Sequence, residues 1–291
     1  SVQAHMLDAG PLRRRIYEWG LRIGHSVNVG RLDGKPVPLR HRLLFPLADA
    51  VVLRPLRDQL GLTRVRIAAC GGATMAPDVF RMFHAIGVPL RNIYGSTETG
   101  LLTCHQGERF DLETVGRWME SLPALNAPLQ WRVSEVGELQ VRGGSPFLGY
   151  YRREGSVESK LQDGWFQTGD AVTKTERGEL VFLERLSDLK RLRSGESFPP
   201  QFVETRLRFS PFIKDIMTVG DETLDFVAAL INIDFDVVSR WAEDKRVGFS
   251  TFTDLSQKPE VAELLRAEIQ RVNGFLPAHA RVVRFANFPK E

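Results

Sequence analysis

The sequence of 291 residues is poor in cysteine and has no long apolar run. Its two cysteines, Cys70 and Cys104, are too few for a disulfide framework and are typical of a reducing compartment. No segment reaches the roughly 18 consecutive apolar residues of a membrane span, and no charged and then apolar leader opens the sequence. We therefore expect a cytoplasmic protein.

A strong excess of charge of one sign is also missing, because the formal net charge is only +3. Basic residues are spread along the chain, apart from short clusters at 13–15 and 190–193. This distribution argues against a nucleic acid as partner. A composition of 43% hydrophobic and 26% charged residues is that of a globular protein with one large domain or two ordinary ones.

Apolar residues at helical spacing predict two helices near the start of the sequence, over residues 11–27 and 39–60. Basic residues flank the apolar stripe of the first helix. The stripe is usually part of a core, and peripheral binding to a membrane surface stays open as the alternative. Pro46 and Pro55 are expected to kink or divide the second helix.

A β-α-β pattern follows. Residues 65–70 predict a strand, a helix opens at Pro77, and residues 88–93 predict the next strand. Parallel strands joined by a helix place their ligands at the carboxyl ends of the strands. The segments that follow these two strands, 71–73 and 94–98, should therefore line one crevice.

Short strands separated by turn residues fill residues 115–182, which predicts an antiparallel or barrel-like region with a hairpin turn at 176–179. After Arg185 the pattern changes to alternating helices and strands of a compact α+β unit. We place the domain boundary at residues 184–188.

The segment from Tyr94 to Gly100, Tyr-Gly-Ser-Thr-Glu-Thr-Gly, combines an aromatic ring, hydroxyls, glycines and one carboxylate. Glycine lets a ligand approach the backbone, hydroxyls bond phosphoryl oxygens, a carboxylate holds Mg²⁺, and tyrosine stacks on a base. In isolation such a cluster is also typical of a plain turn. Asp170 could bind the hydroxyls of a ribose or only cap its own turn. Arg185 could bind ribose or phosphate oxygens or be an ordinary surface arginine.

Six segments in one order carry a resemblance to a known family. The sequence resembles the adenylate-forming (AMP-binding) acyl-CoA synthetase superfamily, and most closely its long-chain fatty-acid CoA ligase branch. The segments are residues 70–73, 94–100, 137–139, 149–151, 164–170 and 184–188.

The resemblance implies an α/β and α+β fold. Residues 1–183 would form the C-terminal part of the large AMP-binding domain, with an α/β part at 1–104 and a small β-barrel-like subdomain at 105–183. Residues 184–291 would form a small mobile α+β domain, truncated before its end.

The implied reaction has two halves. A fatty acid attacks ATP to give an acyl adenylate and pyrophosphate, and the thiol of coenzyme A then displaces AMP, so that ATP, Mg²⁺ and coenzyme A are the implied cofactors. Two alternatives stay open: a fatty acyl-AMP ligase that loads a carrier protein, and a non-catalytic module that binds a nucleotide or an acyl chain.

The resemblance also assigns roles to residues. Tyr94 would stack on adenine, Thr97 would bond the α-phosphate, and Glu98 would hold Mg²⁺. Asp170 would grip the ribose with help from Arg185. The remaining implied binding residues are Gly71, Gly72 and Ala73 along the adenine and acyl channel, Gly95 beside Tyr94, and Gly195 on the path of the coenzyme A thiol.

The sequence departs from the family pattern in several places. It contains no Gly-rich phosphate loop ending in Pro-Lys-Gly, and Lys290 is not assigned to the family's carboxyl-terminal lysine. The family's hinge position, commonly Asp or Lys, is Ser187, and residues 190–193 are unusually basic. We therefore expect a carboxyl-terminal portion of a larger enzyme that is inactive by itself.

Overall fold

The computed structural model describes residues 10–73, 75–119, 130–143, 147, 149–152, 155 and 157–290. Contacts between Cα atoms divide the chain into one compact unit at residues 15–187 and a second at 188–291, which also takes in the residues up to Arg14. Within the described residues, no helix combines the length and the apolar character needed to cross a bilayer.

Two long helical segments open the described chain. Helix α1 (Pro11–Gly24) continues through a π-helical turn (His25–Val29) into α2 (Gly30–Leu32), and α3 (Leu39–Ala48) continues through a second π-helical turn (Asp49–Leu53) into α4 (Arg54–Gln59). The two helices predicted from apolar spacing are therefore confirmed. The second segment is divided by its π-helical turn, with Pro46 inside α3 and Pro55 in the first turn of α4, where proline is tolerated.

The two helical segments pack closely at Gly20. A Cβ atom at this position would lie 2.6 Å from Cβ of Val52, so only glycine allows this approach. Ile23 and Ala48 share one buried cluster, with Trp19 packed against it. The second half of the predicted stripe thus lies in the core, whereas Leu12 and Ile16 in its first half are exposed.

The predicted β-α-β pattern is also confirmed. Strand β1 (Ala68–Cys70), helix α5 (Pro77–Ala85) and strand β2 (Leu90–Ser96) follow each other, and β1 and β2 pair in parallel with Cys70 opposite Asn92. Phe80 of α5 is fully buried in a cluster with Leu90. The helix thus covers one face of the strand that leads into residues 94–100.

The other strands of this unit run antiparallel to their neighbours. They are β3 (Gly100–Cys104), β4 (Gly116–Trp118), β5 (Gln130–Val133), β6 (Glu138–Arg142), β7 (Leu161–Gln162), β8 (Trp165–Lys174) and β9 (Glu179–Arg185). The sheet order is β1-β2-β3-β4-β9-β8-β6-β5, and β7 pairs with β8. The hairpin turn predicted at 176–179 joins β8 to β9. No barrel closes among these described strands, so the barrel-like arrangement gives way to an open antiparallel sheet.

The second unit is α+β, as predicted. Its strands are the hairpin β10 (Lys190–Arg191) and β11 (Ser197–Phe198) and the sheet β12 (Ile213–Val219), β13 (Val227–Ile233) and β14 (Val282–Asn287). Its helices are α6 (Pro200–Arg208), α7 (Phe235–Asp244), α8 (Phe252–Ser256) and α9 (Pro259–Asn273). Helix α6 packs on β12, and α9 packs against α6 and β14. Strand β13 alternates buried and half-buried residues, so one of its faces lies in the core.

Candidate functional site

The segment Tyr94–Gly100 forms a tight hairpin, and not a free loop after a strand. Tyr94, Gly95 and Ser96 end β2, and Gly100 begins β3, opposite Ser96. A Cβ atom on Gly95 would lie 2.0 Å from the carbonyl oxygen of Gly100, so glycine is what lets the two strands approach. The hydroxyls of Ser96 and Thr99 lie 3.0 Å apart and brace the turn. Thr97 is exposed and Glu98 half-buried in this turn.

Tyr94 is half-buried, and its ring lies 5.7 Å from the ring of Phe182. Its hydroxyl donates a short hydrogen bond to Oδ2 of Asp170. Burial, with the nearby Asp170 carboxylate adding to it, raises the pKa of Tyr94 well above its usual value. The phenol therefore stays protonated and remains a donor to this carboxylate.

Asp170 is the buried carboxylate of the site, since only 3% of the residue is exposed. It lies on β8 directly opposite Arg185 of β9, and its Oδ1 is 2.7 Å from Nη1 of Arg185. This Oδ1 is buried and accepts no hydrogen bond of regular geometry, although the charges are in contact. Burial raises the pKa of Asp170, while Tyr94 and Arg185 act in the opposite direction.

Arg185 combines a fixed head with an accessible side chain. The guanidinium donates from Nη1 to the carbonyl oxygen of Thr168 at 3.1 Å, and 54% of the side chain is exposed. A ligand that reaches Asp170 would therefore meet a positive charge that is already oriented.

Glu98 is held by the segment around residue 150. Tyr150 donates a short hydrogen bond from its hydroxyl to Oε1 of Glu98, and the N–H of Phe147 donates to the carbonyl oxygen of Glu98 at 2.8 Å. The hydrogen bond from Tyr150 is the main reason why the pKa of Glu98 is lowered. Glu98 is therefore ionised at neutral pH.

Glu98 offers a single carboxylate as a metal ligand. The described residues contain no group of three or more His, Cys, Asp or Glu side chains that could hold a metal ion. Mg²⁺ is usually bound by one or two carboxylates together with the phosphates of a substrate. A single ionised Glu98 fits an Mg²⁺ ion of that kind, in which the nucleotide completes the coordination.

Gly71, Gly72 and Ala73 lie exposed after β1. A Cβ atom on Gly71 would lie 2.6 Å from the carbonyl oxygen of Ile93, the residue before Tyr94, and Gly72 has a φ of 81°. The structure thus brings the ends of the two parallel strands together, as the β-α-β pattern predicted. Both glycines are required by the backbone whether or not a ligand is bound.

Gly195 belongs to the other unit. It lies in the turn between β10 and β11 with a φ of 88°, and its N–H donates to the carbonyl oxygen of Leu192 at 2.9 Å. A Cβ atom there would meet no other atom within 4 Å. The left-handed backbone of this turn explains why the position is a glycine.

Sequence reasoning missed several polar residues around these side chains. Tyr150 donates to Glu98, Glu138 accepts from the N–H of Gly169, and Thr168 accepts from the N–H of Asp170. Each lies in one of the segments that carry the family resemblance, at residues 137–139, 149–151 and 164–170, so these segments indicated where to look. The partners of Tyr150 and Glu138 are distant in the chain, and no local pattern identifies them.

Comparison with known proteins gives a consistent result. Residues 38–151 match the family described as AMP-binding enzyme. The long-chain-fatty-acid–CoA ligase FadD15 of Mycobacterium bovis is 31% identical over 238 residues, which are 81% of this chain and 38% of the relative. The long chain acyl-CoA synthetase 1 of Arabidopsis thaliana is 29% identical over 289 residues, covering 93% of this chain and 41% of the relative. The chain therefore spans well under half the length of these two relatives.

Solved structures show the same fold. An adenylation and carrier didomain of a carboxylic acid reductase from Segniliparus rugosus, in complex with AMP, matches with a TM-score of 0.57 at 20% identity and covers 94% of this chain and 36% of the other. Unliganded O-succinylbenzoate coenzyme A synthetase from Bacillus subtilis matches with a TM-score of 0.56 at 20% identity over 81% and 48% of the two chains.

Proposed function

We propose that this chain, which belongs to the AMP-binding enzyme family, is part of a long-chain fatty-acid CoA ligase. Such an enzyme joins a fatty acid to AMP at the expense of ATP and then transfers the acyl group to coenzyme A. The observation that carries the proposal is the buried carboxylate of Asp170, held between the hydroxyl of Tyr94 and the guanidinium of Arg185. The preference for long-chain acids is supported by the names of the relatives.

The nucleotide is held by residues of the unit at 15–187. Asp170 accepts hydrogen bonds from the ribose hydroxyls through a carboxylate that Tyr94 and Arg185 already hold in place. Arg185 keeps this carboxylate oriented and adds positive charge beside it. The ring of Tyr94 stacks on adenine near residues 71–73. This assignment keeps the base and the ribose on two rigid strands.

The reacting phosphate lies at the turn of the β2–β3 hairpin. Thr97 is exposed there, and its hydroxyl donates a hydrogen bond to the α-phosphate. Glu98 would hold Mg²⁺, which neutralises charge on the phosphates when it is bound. The chemistry needs positioning and charge neutralisation more than a protein nucleophile. The proposed roles therefore include no catalytic cysteine or histidine.

Coenzyme A is the proposed acceptor, and Gly195 the proposed contact of its thiol arm. A carrier protein in place of coenzyme A, or nucleotide binding without catalysis, are the alternatives. We place the protein in the cytoplasm. Peripheral attachment to a membrane is a further part of this proposal. It is supported by exposed apolar residues beside basic ones, Leu12 and Ile16 in α1 and the leucines of α3.

The test uses the natural full-length protein with ATP and Mg²⁺. We expect pyrophosphate release that requires a long-chain fatty acid and is far weaker with acetate or benzoate. Addition of coenzyme A should then yield a thioester, whereas a phosphopantetheine-bearing carrier protein should not replace it. Absence of pyrophosphate release with every fatty acid tested would rule out the ligase, and AMP binding in the same protein would then favour the non-catalytic alternative.

A further inference from the structure

Asp170 lies in an irregular part of the sheet. In the β6–β8 pairing, Gln140 is opposite Gln167, yet Glu138 is opposite Ala171. Between these two pairs, β6 has one residue and β8 has residues 168–170, which therefore form a bulge. Gly169 adopts a φ of 74° at its centre. Bulges of this kind re-aim a side chain next to an active site.

Side chains replace the ladder hydrogen bonds that the bulge interrupts. The N–H of Gly169 donates to Oε1 of Glu138 at 2.9 Å. The N–H of Asp170 donates to Oγ1 of Thr168 at 3.2 Å, and that hydroxyl donates to the carbonyl oxygen of Leu139 at 2.6 Å. Glu138 is thus the acceptor that joins β6 to the residue directly before Asp170.

Glu138 is itself firmly placed. Only 8% of the residue is exposed, and its Oε2 accepts from Nε2 of Gln140 at 3.3 Å. Gln140 in turn donates to Gln167 at 2.6 Å and accepts from Nε of Arg132 at 2.7 Å. A buried carboxylate is costly unless its partners are fixed, so this arrangement keeps Glu138 against the bulge.

We propose that Glu138 is a positioning residue for ribose recognition. Its carboxylate holds the bulge at Gly169 and so directs the carboxylate of Asp170 toward the ribose hydroxyls, beside Tyr94 and Arg185. The inference rests on the proposed ribose role of Asp170. Glu138 touches neither base nor phosphate in this scheme, so its removal weakens ribose recognition and leaves adenine stacking in place.

The experiment measures binding of AMP, 2′-deoxy-AMP and 3′-deoxy-AMP to the natural full-length protein by calorimetry. The wild type should bind AMP roughly ten- to hundredfold more tightly than the deoxy analogues, as expected for a hydrogen bond to a charged group. In Glu138→Ala the ratio of the affinity for AMP to the affinity for the deoxy analogues should fall toward one, mainly because AMP binds more weakly. Glu138→Gln keeps an oxygen that can accept from Gly169 and should retain most of the ratio.

Two further variants separate positioning from general damage. Thr168→Val removes the other acceptor of the bulge and should also lower the ratio, which decides the question if Glu138→Ala does not fold. Glu179→Ala is the matched control, because Glu179 is a buried carboxylate of the same sheet that accepts from the N–H of Asp111 at 2.9 Å. It should lower the melting temperature and leave the ratio unchanged.

The inference is overturned if a folded Glu138→Ala protein prefers AMP to the deoxy analogues as strongly as the wild type does. It is also overturned if Glu179→Ala lowers the affinity ratio as much as Glu138→Ala does. An unchanged ratio in Thr168→Val overturns it when Glu138→Ala is unfolded. A wild type that does not discriminate at all removes the ribose role of Asp170 and this inference with it. Pyrophosphate release that depends on a fatty acid reports separately on the proposed function.

Discussion

The hydroxyl of Tyr94 donates a hydrogen bond to Oδ2 of Asp170, 76 positions further along the chain. Tyr94 lies on β2 and Asp170 on β8, with β3, β4 and β9 between them in the sheet order. In a flat sheet these four strand steps would span roughly 19 Å. The direct contact therefore requires a strongly curled sheet, which brings the hairpin of β2 and β3 to the bulge of β8.

This contact predicts a selective effect of Tyr94→Phe. The variant keeps the ring and loses only the donor to Asp170. We expect the KM for ATP to rise roughly tenfold, the usual scale for a hydrogen bond to a charged group, while the KM for the fatty acid changes little. Steady-state pyrophosphate release with each substrate varied in turn measures both. Equal increases in the two constants would contradict a role confined to the nucleotide.

Asp170→Asn should stabilise the fold while it removes nucleotide binding. The pKa of Asp170 is raised on folding, mainly by burial. The folded state then holds the proton more tightly than the unfolded state, so the wild type loses stability as the pH rises above the ordinary aspartate range. Asparagine does not bury a charge, so we expect the free energy of unfolding to rise by about 0.5–2 kcal/mol at pH 7, as is common when a functional group is replaced.

Denaturant unfolding from pH 4 to pH 8 checks this expectation. The difference in unfolding free energy between Asp170→Asn and the wild type should grow with pH. A difference that stays constant, or a variant that is less stable at pH 7, would contradict it. Asp163→Asn, at an exposed turn before β8, serves as the control.

Glu98→Ala should slow adenylate formation. The lowered pKa of Glu98 keeps it ionised at neutral pH, and the loss of one electrostatic stabiliser typically costs at least a factor of about 10² in rate. Pyrophosphate release in the first turnover is the measurement. Glu176→Ala, in the exposed turn between β8 and β9, should keep the wild-type rate. An unchanged rate in Glu98→Ala would remove Glu98 from the mechanism.

His105 should make the fold sensitive to acid. The ring is buried, accepts from the N–H of Asn92 at its Nδ1, and donates from Nε2 to the carbonyl oxygen of Thr114. Burial lowers the pKa of His105 to about 4. The unfolded state therefore binds more protons between about pH 6.5 and pH 4, and stability is lost as the pH falls through this range.

The loss of unfolding free energy attributable to His105 is at most about 3–4 kcal/mol over that range. His105→Gln should be less stable than the wild type at pH 7, and this difference should shrink as the pH falls. Urea unfolding at several pH values measures it, with His279→Gln, in the other unit, as the control. Parallel pH profiles for the wild type and His105→Gln would show that another group carries the acid sensitivity.

Ser187→Pro tests a hinge between the two units. The chain passes from one unit to the other at Ser187 and Asp188. In the proposed ligase, two half-reactions share one adenylate, so some element must exchange places beside it. Proline fixes φ near −65° and removes a donor, so we expect one half-reaction to fall far more than the other. Pyrophosphate release and thioester formation from preformed acyl adenylate are assayed separately, with Ser187→Ala for comparison. Equal rates, or equal losses in a folded protein, would make this connection a static linker.

Much of the local structure followed from the sequence. Apolar spacing located the long helical segments, and the β-α-β pattern predicted that the glycine-bearing ends of β1 and β2 lie together. Such features depend on the conformational preference of a few neighbouring residues and on the side of an element that must be buried. The same reasoning placed Thr97 and Glu98 together directly after the strand, although β2 extends further than predicted and includes Tyr94.

The sequence by itself determined which residue types are present for nucleotide chemistry, and the tertiary structure decided which of them meet. The pairing of Asp170 with Arg185 depends on the register of β8 and β9, and the contact of Tyr94 with Asp170 depends on the curl of the sheet. For the same reason, only the structure decided between the antiparallel and the barrel-like alternatives: the described strands form an antiparallel sheet that does not close. Register and curvature are set by pairings between distant strands, and a bulge such as that at Gly169 changes them without a local signal.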